Sequence, residues 1–129
     1  MRDQALFCLT RDQTLAALKI EAGIYTADDP VAAYEKHKLM TFLGCDRTKK
    51  HLLPEESEWI TLEENDQILL CSDGLTDLCS EEKICQILKK EETTQEKCFQ
   101  LMESAVRSGG KDNVTCLLIK AGGSALADS

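Results

Sequence analysis

Asp73 follows the apolar run Ile68-Leu69-Leu70-Cys71-Ser72, and Asp112 lies between Gly109-Gly110-Lys111 and the β-rich stretch Val114 to Lys120. Each carboxylate is thus expected where a strand meets a turn, with glycine close by: Gly74 follows Asp73, and Gly109 and Gly110 precede Asp112. A rigid strand fixes a side chain, and glycine lets backbone or ligand approach closely. Two such aspartates suit a hard divalent cation, because Mg²⁺ and Mn²⁺ prefer carboxylate and water oxygens and two protein ligands leave several positions for water. Asp-Gly and Asp-Asn are also ordinary turn dipeptides, so residue type and spacing leave the metal site and the plain turn both open.

The elements that must hold these residues follow from periodicity. Gln67 to Ser72 is apolar on both faces and predicts a strand buried inside a layered fold, ending at Asp73-Gly74. Val114 to Lys120 predicts the final strand. Ala5 to Leu9, after the turn-like Arg2-Asp3-Gln4, and Trp59 to Leu62 predict two more. Asp12 to Ala22 predicts a helix presenting Leu15, Leu18 and Ala22 and closing on Gly23. Thr26-Ala27-Asp28-Asp29-Pro30 starts a short helix, after which the chain to Leu53 reads as loop. Ser80-Glu81-Glu82 caps a helix carrying Ile84, Ile87 and Leu88. Thr93 and Glu96 form a capping box for another, with Cys98, Leu101, Met102, Ala105 and Val106 on one face.

Composition sets outer limits. At 129 residues the chain has the length of one ordinary domain, with residues 1–121 as its body and 122–129 as a flexible tail. Fifteen Lys and Arg against 23 Asp and Glu give a formal charge of −8, which disfavours nucleic acid as a partner. The longest apolar run is far short of a membrane span, and Met1 to Gln4 lack a signal-peptide core, so a cytoplasmic protein with no membrane partner is expected. The seven cysteines are scattered, with no C-x-x-C, and His37 and His51 are isolated. Reduced, buried thiols acting as small hydrophobes are the expectation, and zinc sites and disulfide frameworks are disfavoured.

Leu69-Leu-Cys-Ser-Asp-Gly-Leu-Thr-Asp-Leu78 and Gly109-Gly-Lys-Asp-Asn-Val-Thr115 resemble the two C-terminal signature motifs of the metal-dependent PP2C-type (PPM) serine/threonine phosphatases. The segment from Arg2 to Thr14, with the helix ending in Glu-Ala-Gly23, is similar to that family's hairpin and its L-T-x-D-H-S/T motif, and Leu39 to Gly44 resembles its T-R-A-L-G segment. The resemblance runs in order from residue 2 to about 120. It implies an α+β fold, the α-β-β-α sandwich of antiparallel sheets flanked by helices, here a C-terminal portion whose N-terminal strands are missing.

Carried over residue by residue, the resemblance makes Asp73 and Asp112 ligands of Mn²⁺ or Mg²⁺. Asp12 becomes a ligand, with Asp73, of a possible third metal, and Asp77, Asn113 and Gly74 surround and orient the site. The implied reaction is hydrolysis of phosphoserine or phosphothreonine in a protein substrate by metal-activated water, in a pathway shared with a serine/threonine kinase. Three positions depart from the pattern: Gln13 replaces the family histidine, Phe42 the arginine of T-R-A-L-G, and Thr76 the usual tryptophan. The family's D-G-x-G-G/H motif, source of the aspartate that bridges two metals, and its G-D-S-R motif do not occur. Dications cluster only where enough carboxylates offset their charge. Little activity and weak Mn²⁺ affinity are therefore expected of this chain alone. The rival expectation is a catalytically silent regulatory or binding domain of the same fold.

Overall fold

The computed structural model describes residues 1–42, 44, 57–110 and 112–122. In chain order its elements are α1 (Leu15–Glu21), α2 (Pro30–Glu35), β1 (Gln67–Cys71), α3 (Asp73–Thr76), α4 (Glu81–Leu88), α5 (Thr94–Arg107) and β2 (Cys116–Lys120). Helices and one antiparallel strand pair make the architecture α+β. They form two compact units, one of Met1–Phe7 with the chain from Ile60 onward, the other of Cys8–Trp59.

In the first unit β1 and β2 pair with Gln67 opposite Lys120 and Cys71 opposite Cys116. Side chains alternate across a strand, so Leu69, Cys116 and Leu118 share one face. All three belong to a cluster with Leu75, Cys79, Ile84, Ile87, Leu88, Leu101 and Ala105. On the other face Leu70 is 52% exposed and Leu117 57%. The expectation of a strand buried on both faces is therefore corrected, because α5 packs against β2 and the opposite face has no covering layer among the described residues.

The helices of this unit start as their sequences require. The Ser80 hydroxyl accepts from the Lys83 amide at 3.3 Å, and Thr93 and Glu96 form the full capping box of α5. On α5 the buried positions are Lys97, Leu101 and Ala105, four residues apart, while Val106 lies exposed. Lys97 is a charged residue in an apolar stripe, and burial pushes its ammonium below the usual lysine range. Its Nζ donates to Gln67 Oε1 at 2.9 Å and to the Leu88 carbonyl at 2.8 Å, which satisfies a group that would otherwise be costly to bury.

Two expected strands do not form. Arg2 and Ala5 exchange backbone hydrogen bonds of 3.1 and 2.8 Å around Asp3 and Gln4, both at positive φ, so the turn is real. No ladder continues beyond that bridge, and Phe7 and Leu9 lie exposed. From Trp59 to Leu62 the chain is exposed and unladdered, and the Thr61 carbonyl accepts instead from Arg2 Nη2 at 2.8 Å. A strand needs a partner, and these segments have none among the described residues.

In the second unit the Thr14 hydroxyl caps α1, accepting from the Ala17 amide at 3.1 Å. Gly23 stands at φ 69°, and the Gly23 and Ile24 amides bond back to the Ile20 and Lys19 carbonyls, both at 2.9 Å. This is a Schellman ending, the reason for a glycine there. Asp29 caps α2 through the Val31 amide at 2.8 Å, with Pro30 in its first turn. A bridge joins Thr14 to Leu39. Among the described residues of this unit the buried apolar ones are Ala16 and Ala32; Leu18, expected inward, is 47% exposed. Two helices of seven and six residues cannot cover a wide stripe. Glu35 ties them together, accepting from Lys19 Nζ and from the Tyr25 hydroxyl, each at 2.8 Å.

Cysteine burial also differs from the expectation. Cys79 is buried, Cys85, Cys98 and Cys116 are half-buried, and Cys8 and Cys71 are exposed, all six reduced. Cys45, the loop to Leu53, His51, Leu43 of the Leu39 to Gly44 segment, Lys111 and residues 123–129 of the tail lie outside the described residues.

Candidate metal centre

The ends of β1 and β2 bring the two acidic segments together. Beyond Cys71 and Cys116 the pairing continues, with the Ser72 amide donating to the Thr115 carbonyl at 3.0 Å. The Ser72 hydroxyl then acts in both senses, donating to the Asn113 carbonyl at 3.2 Å and accepting from the Thr115 amide at 3.1 Å. Serine can serve as such a clamp because its hydroxyl is both donor and acceptor. The one mark of Ser72 in the sequence is a hydroxyl at the strand end, immediately ahead of the aspartate.

Gly74 makes the approach closer still. A Cβ on this residue would sit 2.3 Å from the Asn113 carbonyl oxygen and 3.1 Å from its carbon. No residue with a side chain fits unless the backbone of one segment moves. Asp73-Gly74 and Asp112-Asn113 are therefore in backbone contact, and glycine is the residue that allows it. Leu75, fully buried, pins the segment to the core just after Gly74.

The surrounding residues divide into those drawn to this point and those that are not. Asp73 opens α3 with an exposed side chain, while its carbonyl accepts from the Asp77 amide at 2.8 Å. Asp112, also exposed, accepts at Oδ1 from the amide of its neighbour Asn113 at 2.7 Å. Asp77 is the C-terminal cap of α3, ahead of the Ser80 cap of α4. Asn113 contributes its carbonyl to the Ser72 clamp and leaves its side chain exposed. Asp12 belongs to the other unit, exposed, two residues before the α1 cap. There Gln13 Oε1 accepts from the Thr41 hydroxyl, and Phe42 is exposed.

The donor types at Asp73 and Asp112 fit a hard divalent cation: two carboxylates from facing segments, both reachable by water. Among the described residues no group of three or more His, Cys, Asp or Glu could hold a metal. The fit is therefore to a cation that keeps much of its water.

Comparison with known proteins adds a lineage. The family model described as protein phosphatase 2C matches residues 47–114, just over half the chain. The serine/threonine phosphatase Stp of Listeria monocytogenes is 29% identical over 120 residues, covering 93% of this chain and 46% of Stp. The solved structure of the S. agalactiae serine/threonine phosphatase superposes with a TM-score of 0.72 at 30% identity, covering 91% of this chain and 47% of that one. The catalytic domain of the serine/threonine protein phosphatase PstP in complex with two manganese ions superposes with a TM-score of 0.62 at 30% identity, covering 91% and 46%. The chain spans about half the length of these relatives.

Proposed function

The chain belongs to the protein phosphatase 2C family, and from that premise we propose that residues 1–121 are the C-terminal portion of a metal-dependent protein serine/threonine phosphatase domain. The observation that carries this reading is the backbone contact of Gly74 with Asn113, which puts the segments bearing Asp73 and Asp112 side by side. In this reading the layered α-β-β-α arrangement is completed by strands outside the chain. The half-length match to the relatives supports that. The substrate class is phosphoserine and phosphothreonine in proteins, opposed by a serine/threonine kinase, and the setting is the cytoplasm. No helix among the described residues is long and apolar enough to cross a membrane.

Asp73 and Asp112 would hold Mn²⁺ or Mg²⁺, and Asp12 a third ion. Such a cation acidifies water to a nucleophile at neutral pH, the chemistry that phosphomonoester hydrolysis requires. The chain's own residues do the positioning. Ser72 locks the two segments, Gly74 lets them touch, Asn113 and Asp77 orient them, and Asp73 and Asp112 offer negative charge on a solvent-exposed edge. A silent regulatory domain is the second reading, favoured by the lack of a three-ligand group among the described residues.

Two measurements test the proposal. Mn²⁺ titration by calorimetry is expected to show weak binding to the chain and none to Asp73→Ala or Asp112→Ala. In a protein carrying the D-G-x-G-G and G-D-S-R motifs ahead of this sequence, Mn²⁺-dependent hydrolysis of p-nitrophenyl phosphate is expected, and its loss in Asp73→Ala. Equal activity with and without that carboxylate would overturn the ligand assignment, and no activity in the extended protein would favour the silent domain.

A further inference from the structure

Three of the reduced thiols meet at the end of the ladder that leads to the acidic segments. Cys71 and Cys116 are direct cross-strand partners. The amide of Ser72 bonds to the carbonyl of its opposite residue Thr115 at 3.0 Å, and at the other end the Ala121 amide bonds to the carbonyl of its opposite residue Asp66 at 2.8 Å. Hydrogen-bonded pairs alternate with non-hydrogen-bonded ones along an antiparallel ladder. Positions 72/115 and 66/121 share one parity, so Cys71/Cys116 is a non-hydrogen-bonded pair. Such pairs place their Cα atoms about 4.5 Å apart, inside the span of roughly 4.4–6.8 Å that a disulfide bridges.

From this register we propose that Cys71 and Cys116 are a modification site, closing to a reversible cross-strand disulfide on exposure to hydrogen peroxide. Cys71 is exposed and meets the oxidant first, whereas Cys116 is half-buried, its Sγ 3.7 Å from the Cys98 carbonyl. Burial, with Cys98 and Cys71 adding to it, pushes the Cys116 thiol up to about 11, so it is protonated at neutral pH and a poor first target. In the first step the Cys71 sulfur takes one peroxide oxygen, giving a sulfenic acid and one water. In the second the Cys116 sulfur attacks the Cys71 sulfur, the S–O bond breaks, and hydroxide leaves with the Cys116 proton as a second water. Two thiols lose two electrons, and one peroxide becomes two waters. The bond ties β1 to β2 two residues before Asp73. Its partial exposure places it among the readily reduced, regulatory class of disulfides. Nothing in this step requires a bound metal.

The test is intact-mass and peptide analysis of the full chain after peroxide treatment. The mass should fall by two hydrogens and be restored by dithiothreitol. The tryptic peptide Asp112–Lys120 should be linked to the peptide containing Cys71, with fragmentation placing the bond at Cys71 rather than Cys79. The cross-link should vanish in Cys71→Ser and persist in Cys98→Ser. Addition of oxygen without a cross-link, or a wild-type bond from Cys116 to Cys98, would overturn the proposal. Mapping on the wild-type chain decides the matter even if a variant folds poorly.

Discussion

The two units solve the problem of holding helices by different means. In the one containing the strands, α4, α5 and β2 enclose Leu75, Leu88 and Leu101, none more than 1% exposed, with Ile84, Ile87, Ala105 and Leu118 around them. In Cys8–Trp59 the buried apolar residues among those described are two alanines, and the larger share of the work falls to caps, a Schellman turn and the Glu35 cluster. An alanine buries little area, and a partly exposed ion pair stabilises weakly. The difference teaches that stability is concentrated where Asp73 and Asp112 are held, while Asp12 sits on the more weakly held unit.

The largest expected effect tests that contrast directly. Leu101→Ala removes a fully buried side chain from the centre of the core, and should lower unfolding stability by about 2–5 kcal/mol, read from chemical denaturation. Native-state hydrogen exchange should show α5 and the strand ladder exchanging slowest and α1 and α2 fastest in the wild-type chain. Equal protection in both units would break the comparison.

The same contrast explains what could be read from the sequence. Capping and periodicity are local signals, so Ser80, Thr93 with Glu96, Gly23, and Asp29 with Pro30 all announce helices that the structure contains, although α1 starts after the Thr14 cap rather than at Asp12. Strand formation is not local. Ala5 to Leu9 and Trp59 to Leu62 have strand composition but no partner among the described residues, while Gln67 to Ser72 finds one in β2. Burial on one face cannot be told from burial on two when Leu70 and Leu117 are as apolar as Leu69 and Leu118. At the candidate centre the acidic residues were legible from their motifs. The Ser72 clamp was not, because it depends on the register between residues more than 40 positions apart. Lys97 was hidden for a similar reason: its acceptors, Gln67 and Leu88, lie on other elements.

A second, smaller change asks whether the firm packing reaches the acidic segments. Gly74→Ala puts a methyl group 2.3 Å from the Asn113 carbonyl oxygen, and overpacking of this kind costs about 1–3 kcal/mol. The backbone should yield by parting the two segments, so Mn²⁺ affinity should fall in Gly74→Ala while the α4 and α5 amide signals stay in place. Unchanged affinity would show that the contact does not set the ligand geometry.

The smallest effects come from the ion pairs, and pH separates the units through them. In the strand-containing unit Arg2 grips Asp66 through Nε at 3.0 Å and Nη2 at 2.5 Å. That guanidinium, then the Glu63 amide, hold the Asp66 carboxyl down at about 2 against an ordinary 3.8. In the other unit the Lys19 ammonium, then the Tyr25 hydroxyl, hold Glu35 below its ordinary value. Both carboxyls are lower folded than unfolded, so each stabilises above its unfolded value and loses that contribution as pH falls through the folded one; for Asp66 the window is about 3.8 down to about 2. Acid therefore loosens both units. Base distinguishes them, because burial, reinforced by Glu35, raises Tyr25 from 10.0 to about 12. A raised value favours the folded state below pH 10 and loses that contribution between pH 10 and 12. With Tyr34→Phe removing the other phenol, ultraviolet titration should place phenolate formation near pH 12 and shift it downward in Glu35→Gln, while exchange protection in α5 is unchanged. A midpoint near 10 in the presence of Glu35 would mean that the cluster does not hold α1 to α2 in solution, and would leave the second unit resting on its caps alone.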